Sequence, residues 1–418
     1  MKLSLFLAGL AVSACVQTAA AQQAVLNLDE LISEALRNNP EIRAAQKRYE
    51  AARERPVQQS SLPDPVVSMG YASVGSPRPV AGLGAEPMAR AGVSISQEFP
   101  FPGKRKLAGE ISSKDAEAEF QDYQQAQLGV ISRLEQAYHR LYHTFAMVRV
   151  LETTRDQLQT IVQITEVRYS VGKAAQQDIF KAQTQLSILE ARLVRLERER
   201  LSLEAEIDTV LARPPGSALG KPPDIPPGEL MVTFEELLAS ANQNSPLLHR
   251  QEKVIQKSEL GVNLARKGYY PDTTVTGGYY NMGRLPDVYE FRVDLKLPVW
   301  SWRKQRAAVA EQADMLGEAR RSYEAADQAL TLRIKDEFLS AQASSKLMKM
   351  YAETVIPQAG LTFESSINAY QTGAVDFLSV LSNLMTKVEY EENYHEEMLA
   401  FHLAMVRLEE MTGTRWMN

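Results

Sequence analysis

Few residues of this chain are of a type and spacing that could do chemistry. His139 and His143 stand four apart, the separation that presents two imidazoles on one helix face as zinc ligands, but no carboxylate joins them in a His-Glu-x-x-His arrangement. They read as residues of a packed seam or a surface. His395 and His402, seven apart with Glu391 nearby, could form a metal-contact stripe, and the simpler reading is a solvated helix face. Met348 with Met350, and Met398 with Met405, invite a copper reading, yet methionine is a common gap-filler between packed helices. Asp178 and Asp376 each lie just past a glycine-containing bend. They could line a narrow opening and favour cations, or cap the helices that begin there, and capping is the simpler role. The dense charge between Arg192 and Glu206 reads as the wet face of a helix. No Ser/His/Asp set, phosphate loop or metal quartet is found, so neither catalysis nor a bound cofactor or metal is expected.

The elements around these residues say more. Gly103 to Arg213 runs without proline and reads as one long helical hairpin. Its outgoing arm places Ile131, Leu134, Tyr138, Leu141, Phe145 and Val148 at spacings of three and four, and its returning arm does the same with Leu186, Leu189, Leu193, Leu196, Leu203, Ile207 and Val210. That is a coiled-coil seam. The bend is expected at Arg168 to Lys173, where Gly172 can leave the helix at positive φ. An arm from Lys104 to Arg168 would be roughly 100 Å long, several times an ordinary domain's diameter. The returning arm is too short to flank it, so a second helix must cover the remainder. The opening helix of each half has about the missing length.

Composition narrows the class. The chain has 418 residues, net charge −6 and 44% apolar residues, which suits a large core and argues against a nucleic-acid partner. An apolar run from Leu3 to Val12 and small residues at Ala19, Ala20 and Ala21 read as a secretory signal over 1–21. The alternative is cleavage after residue 14 with lipid on Cys15, the only cysteine, so no intrachain disulfide is possible. Beyond the signal no apolar run reaches the eighteen or so residues of a membrane helix.

The chain also repeats itself. Leu28-Asp29-Glu30-Leu31 with Asn38-Asn39-Pro40 is echoed by Phe234-Glu235-Glu236-Leu237 with Asn244-Ser245-Pro246. The expected units are 26–212, a proline-rich linker at 213–230, a second unit at 231–412 and a tail at 413–418. Each unit reads as helix, strand, strand, long helix, bend and returning helix. The strands are expected at Val66 to Val74, Ala91 to Phe101, Thr273 to Met282 and Tyr289 to Val299, with Gly283 to Val288 a short loop. Phe291, Val293, Leu295 and Leu297 alternate with Arg292, Asp294 and Lys296, as Val93, Ile95 and Phe99 do with Ser94, Ser96 and Glu98. A length of about ten residues with one apolar face suits a strand crossing an outer membrane at a tilt. Four strands cannot close a barrel, and open edges in lipid are costly, so the chain is expected to oligomerise. Two copies give a side-chain-filled barrel of eight, and three give twelve strands and room for a lumen. Glu98, Arg292, Asp294 and Lys296 are then the lumen candidates. Aromatics near the strand ends (Tyr71, Phe99, Phe101, Tyr269, Tyr270, Trp300, Trp302) suit an interfacial girdle. Prolines 63, 100, 271 and 298 mark the helix–strand junctions, and Pro357 should kink the second long helix.

These features resemble the outer-membrane efflux protein family, the TolC-like ducts, from about Leu28 to Gly413. The resemblance rests on the duplicated helix openings and on Phe99-Pro100-Phe101-Pro102-Gly103-Lys104-Arg105. It rests also on Arg168-Tyr169-Ser170-Val171-Gly172 with Asp178-Ile179 and Ala182-Gln183, and on Tyr370-Gln371-Thr372-Gly373 with Val380-Leu381. The Pro-Phe-Pro-Gly-Lys junction resembles the heavy-metal cation efflux branch. The resemblance implies a mainly α fold of long hairpins forming an α-barrel, with a small antiparallel β part. Four strands per chain would join a homotrimeric twelve-stranded barrel in outer-membrane lipid. It implies hairpin tips, here Arg168, Tyr169, Val171, Gly172, Tyr370 and Gly373, that dock on a periplasmic adaptor linked to an inner-membrane pump of the proton-driven RND type. It implies a gate of one tyrosine and one arginine near the second bend. Tyr370 matches the tyrosine, Val375 stands at the arginine position, and Asp376 is the other gate candidate. The competing class is a periplasmic adaptor or structural coiled-coil protein, which would carry one hairpin inside flanking β domains rather than two hairpins with paired strands.

Overall fold

The computed structural model describes residues 26–75 and 78–416, so the expected signal segment and Cys15 lie outside the described residues. The elements follow as α1 (Leu28–Asn38), α2 (Pro40–Ser60), β1 (Val66–Ala72), β2 (Arg90–Phe99), α3 (Lys104–Ser170) and α4 (Gln176–Val210). The second half continues with α5 (Phe234–Asn244), α6 (Pro246–Lys267), β3 (Asp272–Met282), β4 (Leu285–Lys296), α7 (Lys304–Met350), α8 (Ile356–Thr372) and α9 (Phe377–Thr412). Among the described residues no helix is long and apolar enough to cross a membrane.

Local chemistry sets the helix starts. Asn27 caps α1 by accepting from the Asp29 amide at 3.0 Å. Asn39 ends α1 and caps α2, accepting from the Glu41 and Ile42 amides, with Pro40 in the first turn where a missing donor costs nothing. The Asn39 amide also donates to the Val210 carbonyl at 2.8 Å, which ties the end of α4 to the start of α2. Arg213 adds a fork onto Glu34 across the same junction. Two shorter helices therefore lie end to end along α3, whose 67 residues span about 100 Å. In the second half Thr233 and Glu236 form a capping box on α5, and the hydroxyls of Ser240 and Thr414 meet at 2.8 Å where α9 ends.

The single seam expected on α3 is too narrow. In its middle, Ala137, Tyr138, Leu141, Tyr142 and Ala146 are all buried, because α3 packs against α2, α4, α6 and α9 rather than against one partner. Three apolar clusters result. One joins Leu134 and Leu141 to Ile207, one joins Ile334 to Phe401 and Leu408, and one near the bends joins Leu158 and Leu189 to Phe377 and Leu384. The linker lies across this packing: the Tyr142 hydroxyl donates to the Ile225 carbonyl, and Leu219, Ile225 and Leu230 pack on the clusters. The kink expected at Pro357 takes a specific form. Residues Tyr351–Val355 make a π turn between α7 and α8, accommodating a proline that has no amide to give the carbonyl four residues back.

The four strands form one antiparallel sheet in the order β1-β2-β3-β4. The β3–β4 connection is tighter than expected. Met282 pairs with Leu285 across Gly283 and Arg284, so the stretch read as a loop to Val288 is already strand.

Candidate functional site

The sheet's register sorts its two faces. Val67, Ile95, Gly277 and Phe291 align across the four strands on one face, beside Met69, Val93, Tyr279 and Tyr289. This face is open, with Met69 84% and Phe291 78% exposed. The other face aligns Ser96, Thr276 and Arg292, then Glu98, Thr274 and Asp294, with Lys296 opposite Asp272. Glu98, Arg292, Asp294 and Lys296 thus share one polar face, and the Arg292 guanidinium bridges Asp294 at 3.0 Å and Glu290 at 3.4 Å. β1 and β4 are the sheet's outer strands.

Strand passes into helix through a fixed junction. Asp272 Oδ1 accepts from the Phe101 amide and from Lys104 Nζ, both at 2.7 Å. The rings of Phe101 and Tyr270 stack at 4.4 Å under Lys267. Trp300 and Trp302 stand exposed beside this junction, whereas Tyr71 is at the opposite end of the sheet, where its hydroxyl accepts from the Gly82 amide.

At the far end of the helices the two bends meet. Gly172 (φ +71°) ends the first outgoing helix and Gly373 (φ +86°) ends α8, each in the left-handed region that a side chain makes costly. Arg168 crosses from the first bend to the second. Its guanidinium donates to the carbonyls of Tyr370, Gln371 at 2.9 Å and Lys173 at 3.2 Å, and lies 4.5 Å over the Tyr370 ring. Tyr370 is only 4% exposed, and its hydroxyl meets Thr165 Oγ1 at 3.3 Å. Tyr169 and Val171 point to the surface. Of the expected tip residues, then, Arg168 and Tyr370 close on each other, while Tyr169, Val171 and Gly172 form the open apex. Val375 packs into the apolar cluster below. The guanidinium that the sequence does not place near the second bend comes from the other hairpin.

The two bend carboxylates differ. Asp376 caps α9, accepting from the Ser379 amide at 2.9 Å, and hydrogen bonds from the Ser379 side chain and backbone hold its carboxyl below the usual range. Asp178 lies in the first turn of α4, where Ala175 is the cap residue and makes no side-chain cap bond. Only Asp376 takes the expected capping role through its side chain.

His139 and His143 lie in a packed seam as read, whereas the reading of His395 and His402 needs correction. His139 and His143 face His395 and His402 between α3 and α9, so no solvated stripe exists on α9. The helices run antiparallel, a pairing that spacing on either helix alone cannot reveal. Burial pushes His139 down to about 3 and His143 to about 4. Along the same contact Glu135 is pushed up to about 7 by burial and by nearby Glu409, with Arg415 acting the other way. The charge run on α4 is also not wholly wet, since Arg192 pairs with Glu392 of α9.

Comparison with known proteins places this geometry. A model of the outer membrane efflux protein family matches residues 31–213 and 237–414. The outer membrane protein TolC of Vibrio cholerae is 21% identical over 96% of this chain and 94% of its own length. The pyoverdine export outer membrane protein OpmQ of Pseudomonas aeruginosa is 20% identical over 78% of this chain and 70% of its own. Among solved structures, the outer-membrane channel OprN superposes with a TM-score of 0.79 at 18% identity, covering 93% of this chain and 90% of that one.

Proposed function

The chain belongs to the outer membrane efflux protein family, and on that premise we propose that three copies assemble into a single export duct. The protein is an outer-membrane channel component of an efflux system. The observation that carries the trimer reading is the sheet: four strands in register, with one apolar face open and two outer strands awaiting partners. Three such sheets joined edge to edge make a twelve-stranded barrel with the apolar rows in lipid and Glu98, Arg292, Asp294 and Lys296 lining the lumen. The rigid Asp272 junction carries the barrel into helices of about 100 Å, long enough to span much of a periplasm.

The bends are the docking and gating end. Tyr169, Val171 and Gly172 offer the contact surface for a periplasmic adaptor that couples the duct to an inner-membrane pump. Arg168 and Tyr370 form the clasp that keeps the two bends together when no adaptor is engaged. Cargo passes down a gradient supplied by the pump, and the duct itself does no chemistry. Native mass spectrometry of the mature protein, extracted in detergent from outer membranes, tests the assembly. A mass three times the processed chain supports the duct; a monomer in the soluble periplasmic fraction refutes it.

A further inference from the structure

Four imidazoles that the duct reading does not use close on one small void between α3 and α9. The void, about 10 Å³, is bounded by His139, His143, His395 and His402 together with Met398 and Tyr142. That is room for a single water or ion. The rings of His139 and His402 are 4.6 Å apart between centroids and tilted by 35°.

Two polar atoms show that the void is prepared rather than accidental. His402 Nδ1 donates to the Met398 carbonyl at 2.7 Å, which fixes the ring and leaves Nε2 with its lone pair free. Metal-binding histidines are oriented by the same kind of backbone bond at their second nitrogen. His143 Nε2 is buried and has no hydrogen-bond partner. An orphaned nitrogen in a packed contact destabilises the fold unless something fills the gap.

The donors select the occupant. Four histidines and Met398 line the void, and no carboxylate-bearing residue does. Among the described residues no group of three or more His, Cys, Asp or Glu side chains is placed to hold any metal ion, so no more than two of these imidazoles serve one ion and the four-donor shell of a zinc site is not built. A soft monovalent ion asks for less: nitrogen and thioether donors suit it, and two or three suffice. A single charge also costs less than a double one to bury where no anion neutralises it.

We propose that this void is a binding site for one Cu(I) or Ag(I) ion per chain, held by imidazole nitrogens from both helices and by Met398. The bound ion cross-links the long helix of the first half to the last helix of the second. The site is independent of the trimer and of the tip.

The test uses the full-length protein in detergent, titrated with Ag(I) in chloride-free buffer and separately with Zn(II), and followed by calorimetry and thermal unfolding. The expected result is one high-affinity Ag(I) per chain, a rise in melting temperature on binding, and weaker Zn(II) binding. Met398→Leu, which conserves volume, should weaken Ag(I) at least tenfold, and the double variant His143→Gln/His402→Gln should abolish that site. Met398→Leu decides alone if the double variant fails to fold. Absence of saturable Ag(I) binding, unchanged affinity in Met398→Leu, or Zn(II) bound more tightly than Ag(I) would each overturn the assignment.

Discussion

Replacing Arg168 by alanine should open the tip without harming the fold. The side chain donates to three carbonyls, two of them on the opposite bend, and covers the Tyr370 ring at 4.5 Å. A hydrogen bond from a charged donor contributes about 1.5–3 kcal/mol when buried, and a cation–π contact at an exposed site about 0.5–1 kcal/mol. The guanidinium is half-buried, and water replaces part of what is lost, so about 2 kcal/mol per protomer is the reasonable figure. That corresponds to roughly a thirtyfold shift in the balance between clasped and unclasped bends. The assay is single-channel current from purified protein in planar lipid bilayers. Arg168→Ala should conduct more often or at a higher level than the wild type. Arg168→Lys keeps the charge but not the fork, and should fall between them. Tyr370→Phe loses only the contact with Thr165 and should shift the balance by about 0.5–1.5 kcal/mol. Helicity should be unchanged in all three, and thermal stability should fall by no more than the loss of these contacts. If Arg168→Ala conducts like the wild type while trimeric, the clasp reading is wrong.

Four further variants have expected outcomes. Gly172→Val places a branched side chain at φ +71° with nothing within 4 Å of its Cβ, so its cost is backbone strain of about 1–3 kcal/mol confined to the bend. Export should fail in a complementation assay while native mass spectrometry still reports a trimer. Phe291→Arg puts a charge on the open apolar face and should cost about 2–4 kcal/mol at the bilayer midplane, seen as loss of heat-resistant trimer from outer membranes. Arg292→Ala, one residue on and on the polar face, should assemble normally and alter only ion selectivity. Finally, Glu135 is raised from an ordinary 4.5 to about 7, so the folded state holds a proton that the unfolded state releases. Its contribution is fully present below about pH 4.5 and is lost as pH rises through 7, at no more than about 1.4 kcal/mol per pH unit. Glu135→Gln should flatten the dependence of melting temperature on pH across that window.

Much of this architecture was legible because it is written locally. Asn27, Asn39-Pro40 and the glycines of the bends announce helix ends through caps and positive φ, and the Phe291 to Lys296 alternation announces a two-faced strand. The stacking of α4 on α2 followed from helix lengths alone. What was not legible depends on which helices become neighbours. One apolar row on α3 predicts a single track of partners, the returning arm and an opening helix, and the structure adds α6 and α9. The two histidine pairs read on each helix alone as seam or surface residues, and they meet only because α3 and α9 run antiparallel. Arg168 was counted as a surface residue of its own bend, since nothing local ties it to a carbonyl some two hundred residues away.

That last point bears on how such a gate can vary. The resemblance puts an arginine two residues after the second glycine, and this chain has Val375 there, buried in the apolar cluster. A charge at that position would have to be desolvated or turned outward. Arg168 reaches the same place from the facing hairpin, where its head meets the carbonyls of Tyr370 and Gln371 in the last turn of α8 and of Lys173 just past α3. In this chain the cation beside the Tyr370 ring and the α8 carbonyls is thus supplied by the facing hairpin. Ion pairs that also tie the halves together, among them Arg192 with Glu392, Arg415 with Asp29, Lys257 with Asp115 and Lys104 with Asp272, lie away from the bends. Just below the bends the cluster of Leu158, Leu189, Phe377 and Leu384 and the Tyr370–Thr165 contact still join the halves, so breaking the clasp loosens the tips while the helices behind them stay packed.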